Sequence, residues 1–250
     1  MNETIRLLFE RKSVRVYTGQ KISDENKNLI LDAAIQAPTA GNMHLYSIID
    51  ITDRQIIDRL AINCDHQAFI AQAAMVLIFC ADYQRTYDGF ALTQSDISIQ
   101  KPRVGDLLLA CNDAIIAAQN AVMAASSLGI GSCYIGDILE NTERNTELLH
   151  LPAFVLPITM LVFGYPTQQQ IDRKKPARIG REFIVHENRY QQMDANQYEN
   201  MIEAQSKLAG TPAVSVNNYY SDLYKRKYQA AFTQEMNRSA DVMIKKWTHE

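Results

Sequence analysis

GDLLLACNDAIIAAQNAVMAASSLG, residues 105–129, is the stretch on which the fold turns. It is long, apolar nearly all round, and rich in Ala, Ser and Cys. That pattern predicts a helix over 105–128, ended by Gly129. A helix without a polar face predicts burial on every side. Its small residues let a second helix approach closely, either inside one domain or across a dimer interface. A chain of 250 residues is long enough to hold such a helix inside one large domain.

On either side of this helix the pattern breaks into shorter pieces. Upstream, residues 4–10 read as a short helix. KISDENKNLILDAAIQA (21–37) reads as a stronger one, with Ser23 as N-cap and Asp24 and Glu25 in the positive first turn. Its predicted buried face is Ile22, Leu29, Ile30, Ala33, Ala34 and Ala37, and Pro38 stops it. LYSIIDIT (45–52) reads as a strand, DRQIIDRLA (53–61) and DHQAFIAQAA (65–74) as helices. MVLIFCAD (75–82) is a continuous apolar run of the length of a buried central strand. Residues 83–103 are polar with weak periodicity, a flap or a poorly packed helix.

Downstream, GIGSCYIGD (129–137) is a glycine-punctuated loop around a short strand. Thr142–Leu149 reads as a helix and LPITMLVFGYP (156–166) as the last clear strand. After HENRYQ (186–191) the chain turns polar, with amphipathic segments and a Gly-Thr-Pro break at 210–212. Strands alternating irregularly with helices predict an α+β fold.

Composition narrows the function classes. Hydrophobic residues make up 47% and charged residues 21%, ordinary values for a globular protein. A net charge of −3 supplies no overall basic field for nucleic acid. Cys64, Cys80, Cys111 and Cys133 form no CxxC pair and read as small buried hydrophobes in a reducing compartment. The five histidines form no HExxH, which argues against a metal site. MNETIRLLFERK opens polar and acidic, which predicts no signal peptide, and no apolar run is expected to reach the length of a membrane span. The expected location is the cytoplasm.

Positive charge concentrates in two places far apart in sequence: RKSVR (11–15) and RKKPAR (173–178). Each alone is compatible with solvated surface. Arg offers a planar fork to a phosphate, and Pro176 stiffens the backbone between Lys175 and Arg178. APTAGNM (37–43) is a loop of small residues in which Gly41 and Asn42 tolerate positive φ, with room for a flat ligand. GIGSCYIGD lacks the GxGxxG-then-helix pattern, and its Gly136 and Asp137 N–H groups are candidates to face a ligand heteroatom. There is no GxSxG, no P-loop and no obvious carboxylate pair. An enzyme with so little chemistry of its own points to a cofactor.

Taken in order, R-K-S-x-R, A-P-T-A-G-N, H-Q-A-F-I-A-Q-A-A before M-V-L-I-F-C-A-D, G-x-x-Y-I-G-D, K-K-P-A-R and H-E-N-x-Y resemble the flavin-dependent nitroreductases. The likeness is to the oxygen-insensitive NAD(P)H nitroreductase and flavin reductase subgroup, and it covers essentially the whole chain. It implies a mixed, mainly antiparallel sheet flanked by helices, with a C-terminal arm exchanged in a homodimer. It divides the chain into an FMN-binding core, 1–190, and a helical arm, 191–250.

The resemblance also assigns residues. Arg11 and Ser13 match positions that hold the FMN phosphate and ribityl chain, with Lys12 between them. Arg15 matches the cation near N1 and O2 of the flavin ring, where it would support hydride transfer at N5 without a dedicated catalytic side chain. Gln67 matches an amide at the polar edge of the ring. Tyr134, Ile135, Gly136 and Asp137 match the loop over the ring. Pro38, Thr39, Gly41 and Asn42 match a loop contributed across the dimer. Lys175 and Arg178 match a second phosphate clamp, in which the extra residue of K-P-A-R leaves Lys174 as an alternative to Lys175.

The implied activity is ping-pong reduction of a nitroaromatic, quinone or free flavin by NADH or NADPH. AGTPAVSVNN (209–218) carries no Arg or Lys to meet a 2′-phosphate, which leans toward NADH or dual use. The alternatives are a different redox substrate on the same fold, or a non-catalytic FMN-binding regulatory protein.

Overall fold

The computed structural model describes residues 1–93 and 98–249. The chain divides into two compact units, Met1–Arg173 with Glu235–Glu250, and Lys174–Gln234. Most of the last helix groups with the first unit.

In the first unit, four strands form one sheet: β1 (Tyr46–Ile51), β2 (Met75–Asp82), β3 (Gly131–Ile135) and β4 (Val155–Gly164), in the order β1-β2-β4-β3. All three pairings are antiparallel. A parallel bridge joins Ser13 to Ser132, so the mixed character lies in the N-terminal segment. Every residue of β2 is buried, as its apolar run predicts.

One face of the sheet carries α2 (Asp24–Ile35) and α5 (Val104–Ser127). Ile30 and Ala34 of α2, and Ala114, Ala117, Ala118, Ala121, Val122 and Ala125 of α5, pack with Leu77, Phe79, Leu161 and Phe163 of the sheet. The small side chains of α5 bring its backbone close to the sheet, as their size allows. The other face carries α3 (Arg54–Asn63), whose Ile57 and Leu60 join Ile70, Val76, Ile78, Cys133, Ile135 and Val162. A third cluster links Leu107, Ala110, Phe154 and Leu156 to Met243 and Trp247 of α10 (Ala231–Thr248). Trp247 is fully buried and donates its indole N–H to Arg103 O at 3.1 Å.

The remaining helices of this unit are α1 (Glu3–Glu10), α4 (Gln84–Ala91), α6 (Thr142–Leu148) and α7 (Gln168–Asp172). The second unit contains α8 (Ala195–Ala209) and α9 (Val216–Leu223), which runs on into a π-helical turn at Tyr224–Tyr228. Gly210, at φ +68°, caps α8 in the left-handed conformation.

Several expectations fail, each for a physical reason. Residues 65–74 form successive turns instead of a helix. Asp65 and His66 sit at φ +56° and +53°, and bonds such as Ile70 N to Gln67 O span three residues. In α2, Leu29 points outward at 49% exposure, and Leu31 packs on the core instead. Helix α5 is buried on one face only. Leu108, Leu109, Ile115 and Ile116 are exposed on this chain. At 24 residues α5 is also long and apolar enough to cross a membrane by length and composition, contrary to expectation. Its buried face packs on a sheet, the arrangement of a core helix. Cys64, Cys80 and Cys133 are buried, whereas Cys111 is only half-buried. The 83–103 excursion contains α4, which has no buried residue, and its residues 94–97 lie outside the described residues.

Candidate active site

The site starts from a close approach of two backbone segments. Val14 N donates to Ser132 O at 2.9 Å, which lays residues 13–14 along β3. Gly131 and Gly164 face each other across β3 and β4. A Cβ on Gly131 would lie 2.6 Å from Val14 Cγ2, and one on Gly164 2.6 Å from the Tyr17 ring. No real Cβ fits there, so both glycines are needed for RKSVRVY to run against the sheet. Tyr17 closes the segment by donating its hydroxyl to Val14 O at 3.0 Å.

This seat spreads the side chains of the first basic cluster. The Arg11 guanidinium lies over the Tyr134 ring, 5.6 Å from its centroid, and Arg15 lies 5.9 Å from that of Phe69. Lys12 turns the other way. Its ammonium donates to Ile171 O at 2.6 Å and to Arg173 O, at the C-terminal end of α7. Arg173, absent from the expected site, donates through Nη2 to Ser13 O. Its Nε is buried without a hydrogen bond, as is the hydroxyl of Ser132 beside Ser13. Such orphaned donors suit a group rich in acceptor oxygens, so the residues around Ser13 fit a phosphate ester.

The other end of β3 supplies a surface that is open at Gly136. Tyr134 donates its hydroxyl to Gln119 Oε1 of α5 at 3.1 Å, and burial pushes that phenol up to about 12. Ile135 is buried, while a Cβ on Gly136 would meet nothing within 4 Å. The 3-10 turn Gly136–Leu139 then places Asp137 beside Gln67. Gln67 Nε2 donates to Asp137 Oδ2 at 2.6 Å and to Cys64 O at 3.0 Å. Both amide protons are therefore used, and Gln67 offers its carbonyl to a ligand. A ring imide N–H is the complementary donor, and the flavin ring carries one on its polar edge. Burial raises the Cys133 thiol beneath this surface, with Arg15 acting in the opposite sense.

Contacts thus connect Arg11, Ser13, Arg15, Gln67 and Tyr134–Asp137 around β3. The loop at 38–42 is organised elsewhere. Its Gly41 and Asn42 take positive φ, +55° and +59°. Thr39 Oγ1 donates to Asp113 of α5, as do Ala40 N and Leu45 N, both at 3.1 Å. Asp113 is 2% exposed, and its acceptor set holds this loop in place. Met43, His44, Tyr46 and Arg85 line an adjoining cleft of about 550 Å³, while Pro38 is exposed. Lys175 is half-buried, and Lys174 and Arg178 are exposed; all three belong to the second unit.

Asp113 and Arg173 were legible only in part. A lone carboxylate in the middle of an apolar helix is a signal that it serves backbone donors. Arg173 heads the RKKPAR cluster but reads as ordinary surface charge until its bond to Ser13 is seen.

Comparison with known proteins identifies the family. The nitroreductase family profile matches residues 8–165. The chain is 38% identical over 194 residues to an oxygen-insensitive NADPH nitroreductase of Salmonella typhimurium, covering 78% of this chain and 77% of that protein. It is 31% identical over 208 residues to an NADPH-flavin oxidoreductase of Vibrio harveyi, covering 82% of each. The solved structure of the NADPH:FMN oxidoreductase from Vibrio harveyi, complexed with NAD+, superposes with a TM-score of 0.80 at 26% identity, over 97% of this chain and 98% of that one. The chain belongs to the nitroreductase family.

Proposed function

We propose that this chain is an FMN-dependent oxidoreductase that uses NADH or NADPH to reduce a small electron acceptor, a nitroaromatic, a quinone or free flavin. The similar proteins named above are an NADPH nitroreductase and an NADPH-flavin oxidoreductase, which supports this class of reaction. The observation that carries the reading is the alignment of residues 11–15 with β3. It brings phosphate-type donors and an imide-type acceptor to the same strand.

When bound, FMN would supply the redox chemistry, accepting a hydride and passing electrons to the acceptor in a ping-pong cycle. The protein's part is binding and electrostatics. Arg11, Ser13 and Arg173 would hold the phosphate end, and the resemblance implies Lys175 or Lys174, with Arg178, as a second phosphate clamp. Lys12, whose ammonium is engaged by α7, would secure this corner from behind. Gln67 would accept from the ring imide, and Gly136 leaves space for the ring to lie over Tyr134–Asp137. Arg15 would face the pyrimidine edge, where negative charge grows on reduction. Pro38, Thr39, Gly41 and Asn42 would complete the site from a second copy.

A homodimer follows from this reading. Leu108, Leu109, Ile115 and Ile116 leave an apolar face of α5 exposed on this chain, a face that a second copy would cover. Residues 191–234 of the arm would reach the second copy and cover the nucleotide side, while the rest of α10 stays in the core of its own chain. A cytoplasmic setting, with the buried thiols reduced, goes with it. The cation-free loop at 209–218 favours use of NADH beside NADPH.

An Arg15→Ala, Lys175→Ala double variant tests the site. The expected result is loss of bound flavin in a folded protein. A variant that purifies as yellow as the wild type contradicts the assignment. A steady-state screen of nitroaromatics, quinones and flavins then ranks acceptors, and a bound flavin that NAD(P)H fails to reduce would favour a regulatory role.

A further inference from the structure

No carboxylate pair is apparent in the linear sequence, yet the 3-10 turn Gly136–Leu139 folds two together. Glu140 N bonds to Asp137 O at 3.0 Å, and the Glu140 carboxyl comes within hydrogen-bonding reach of the Asp137 carboxyl. Glu140 is 4% exposed, and its Oε1 is buried without a hydrogen bond. Two adjacent carboxyls can share a hydrogen bond only if one carries a proton. Asp137 is already an acceptor for Gln67 at 2.6 Å. The burial of Glu140 and its unpartnered Oε1 favour placing that proton on Glu140.

We propose that Glu140 is a positioning residue for the cofactor site: its neutral carboxyl donates to Asp137, which holds the Gln67 amide in the orientation that presents its carbonyl to the flavin ring. This rests on the flavin reading above and adds a residue and a pH dependence to it. Without Glu140's proton, two carboxylates would repel, Asp137 would swing off Gln67, and the amide would lose its fixed sense.

The surroundings favour the neutral form. Burial comes first, then the charge and hydrogen bond of Asp137, and then the charges of Asp65 and Glu235; together they push Glu140 up to about 8. The nearby cation, Arg238, is engaged by Glu235 and Glu143. The Cys64 thiol, also facing Asp137 and Glu140, is held protonated by burial. A carboxyl raised in the folded state binds a proton that the unfolded chain has lost. Its contribution is therefore fully present below the ordinary value of 4.5 and is lost as pH rises through about 8.

The test is FMN affinity against pH, read by quenching of flavin fluorescence. The range runs from about pH 7 to about pH 9.5, where a phosphate monoester is already dianionic. In wild-type protein the dissociation constant should rise by about tenfold across this range, the effect of one linked proton. Glu140→Gln keeps a donor for Asp137 without a titrating proton, so its affinity should stay within about twofold throughout. A Glu140→Gln profile that rises like the wild type, or a flat wild-type profile, overturns the role. Infrared difference spectra give an independent readout. A carboxylic-acid carbonyl band present near pH 7, lost near pH 9 and missing in Glu140→Gln supports the shared proton; its absence from the wild type overturns it. Wild-type protein that binds no FMN at any pH would instead overturn the proposed function, and this role with it.

Discussion

The two basic clusters of this chain carry similar charge and are built in opposite ways. RKSVR is seated by backbone. Val14 bonds to Ser132, and Gly131 and Gly164 clear the path beneath it. RKKPAR straddles the division of the chain, with Arg173 in the first unit and Lys174–Arg178 in the second. Arg173 bonds to Ser13, while the cations that follow have a proline to stiffen them. The difference teaches that similar charge can be fixed against a sheet in one place and left to its own local backbone in another.

The sharpest way to break this comparison is at the seat. Gly131→Ala puts a Cβ into Val14, so residues 11–15 should lift from β3. We expect activity to fall by about 100-fold and stability by about 1–3 kcal/mol, measured by turnover and thermal melting. Adding Val14→Ala should recover most of both. If Gly131→Ala alone behaves as wild type, the seat is not what orients the cluster.

Arg173→Ala comes next, because it removes a charged donor from Ser13 O. The expected cost is about 1.5 kcal/mol, or roughly a tenfold weaker hold on FMN, read by fluorescence titration. Lys175→Ala and Arg178→Ala should each weaken FMN by about three- to tenfold, with an effect that shrinks at high salt because these side chains are more open. Lys174→Ala serves as their comparison, and whichever lysine shows the larger effect is the clamp. Lys12→Met should matter least to the ligand, less than about twofold, while costing about 0.3–1 kcal/mol in melting through the lost cap on α7. An FMN effect of Lys12→Met as large as that of Arg173→Ala would reverse the roles given to these two residues.

How much of this was readable beforehand depended on whether a feature is local. The continuous run MVLIFCAD and the Ser23 cap sit at β2 and at the start of α2 because burial length and cap chemistry act over a few residues. The extent of α5 was equally plain, but not which of its faces is covered, since every face is apolar and only the sheet decides. DHQAFIAQAA has helical composition, yet the left-handed Asp65 and His66 at its start turn the chain toward Asp137. That turn is what gives Gln67 its partner. The carboxyl pair Asp137–Glu140 is three residues apart in sequence and ordinary in any other conformation. It becomes a pair only when the 3-10 turn and the burial of Glu140 coincide. The basic clusters were visible as charge, and the resemblance to flavin enzymes joined them. The contacts that discriminate among their members, Lys12 to α7 and Arg173 to Ser13, are long-range and needed the fold.

The most direct measurement is the visible absorption spectrum of the purified protein, recorded without oxygen before and after addition of NADH and, separately, NADPH. The account predicts a yellow protein whose absorption bleaches with either nucleotide, the two rates setting the preference. A protein that stays colourless after FMN is added, or a yellow one that neither nucleotide bleaches, would contradict it.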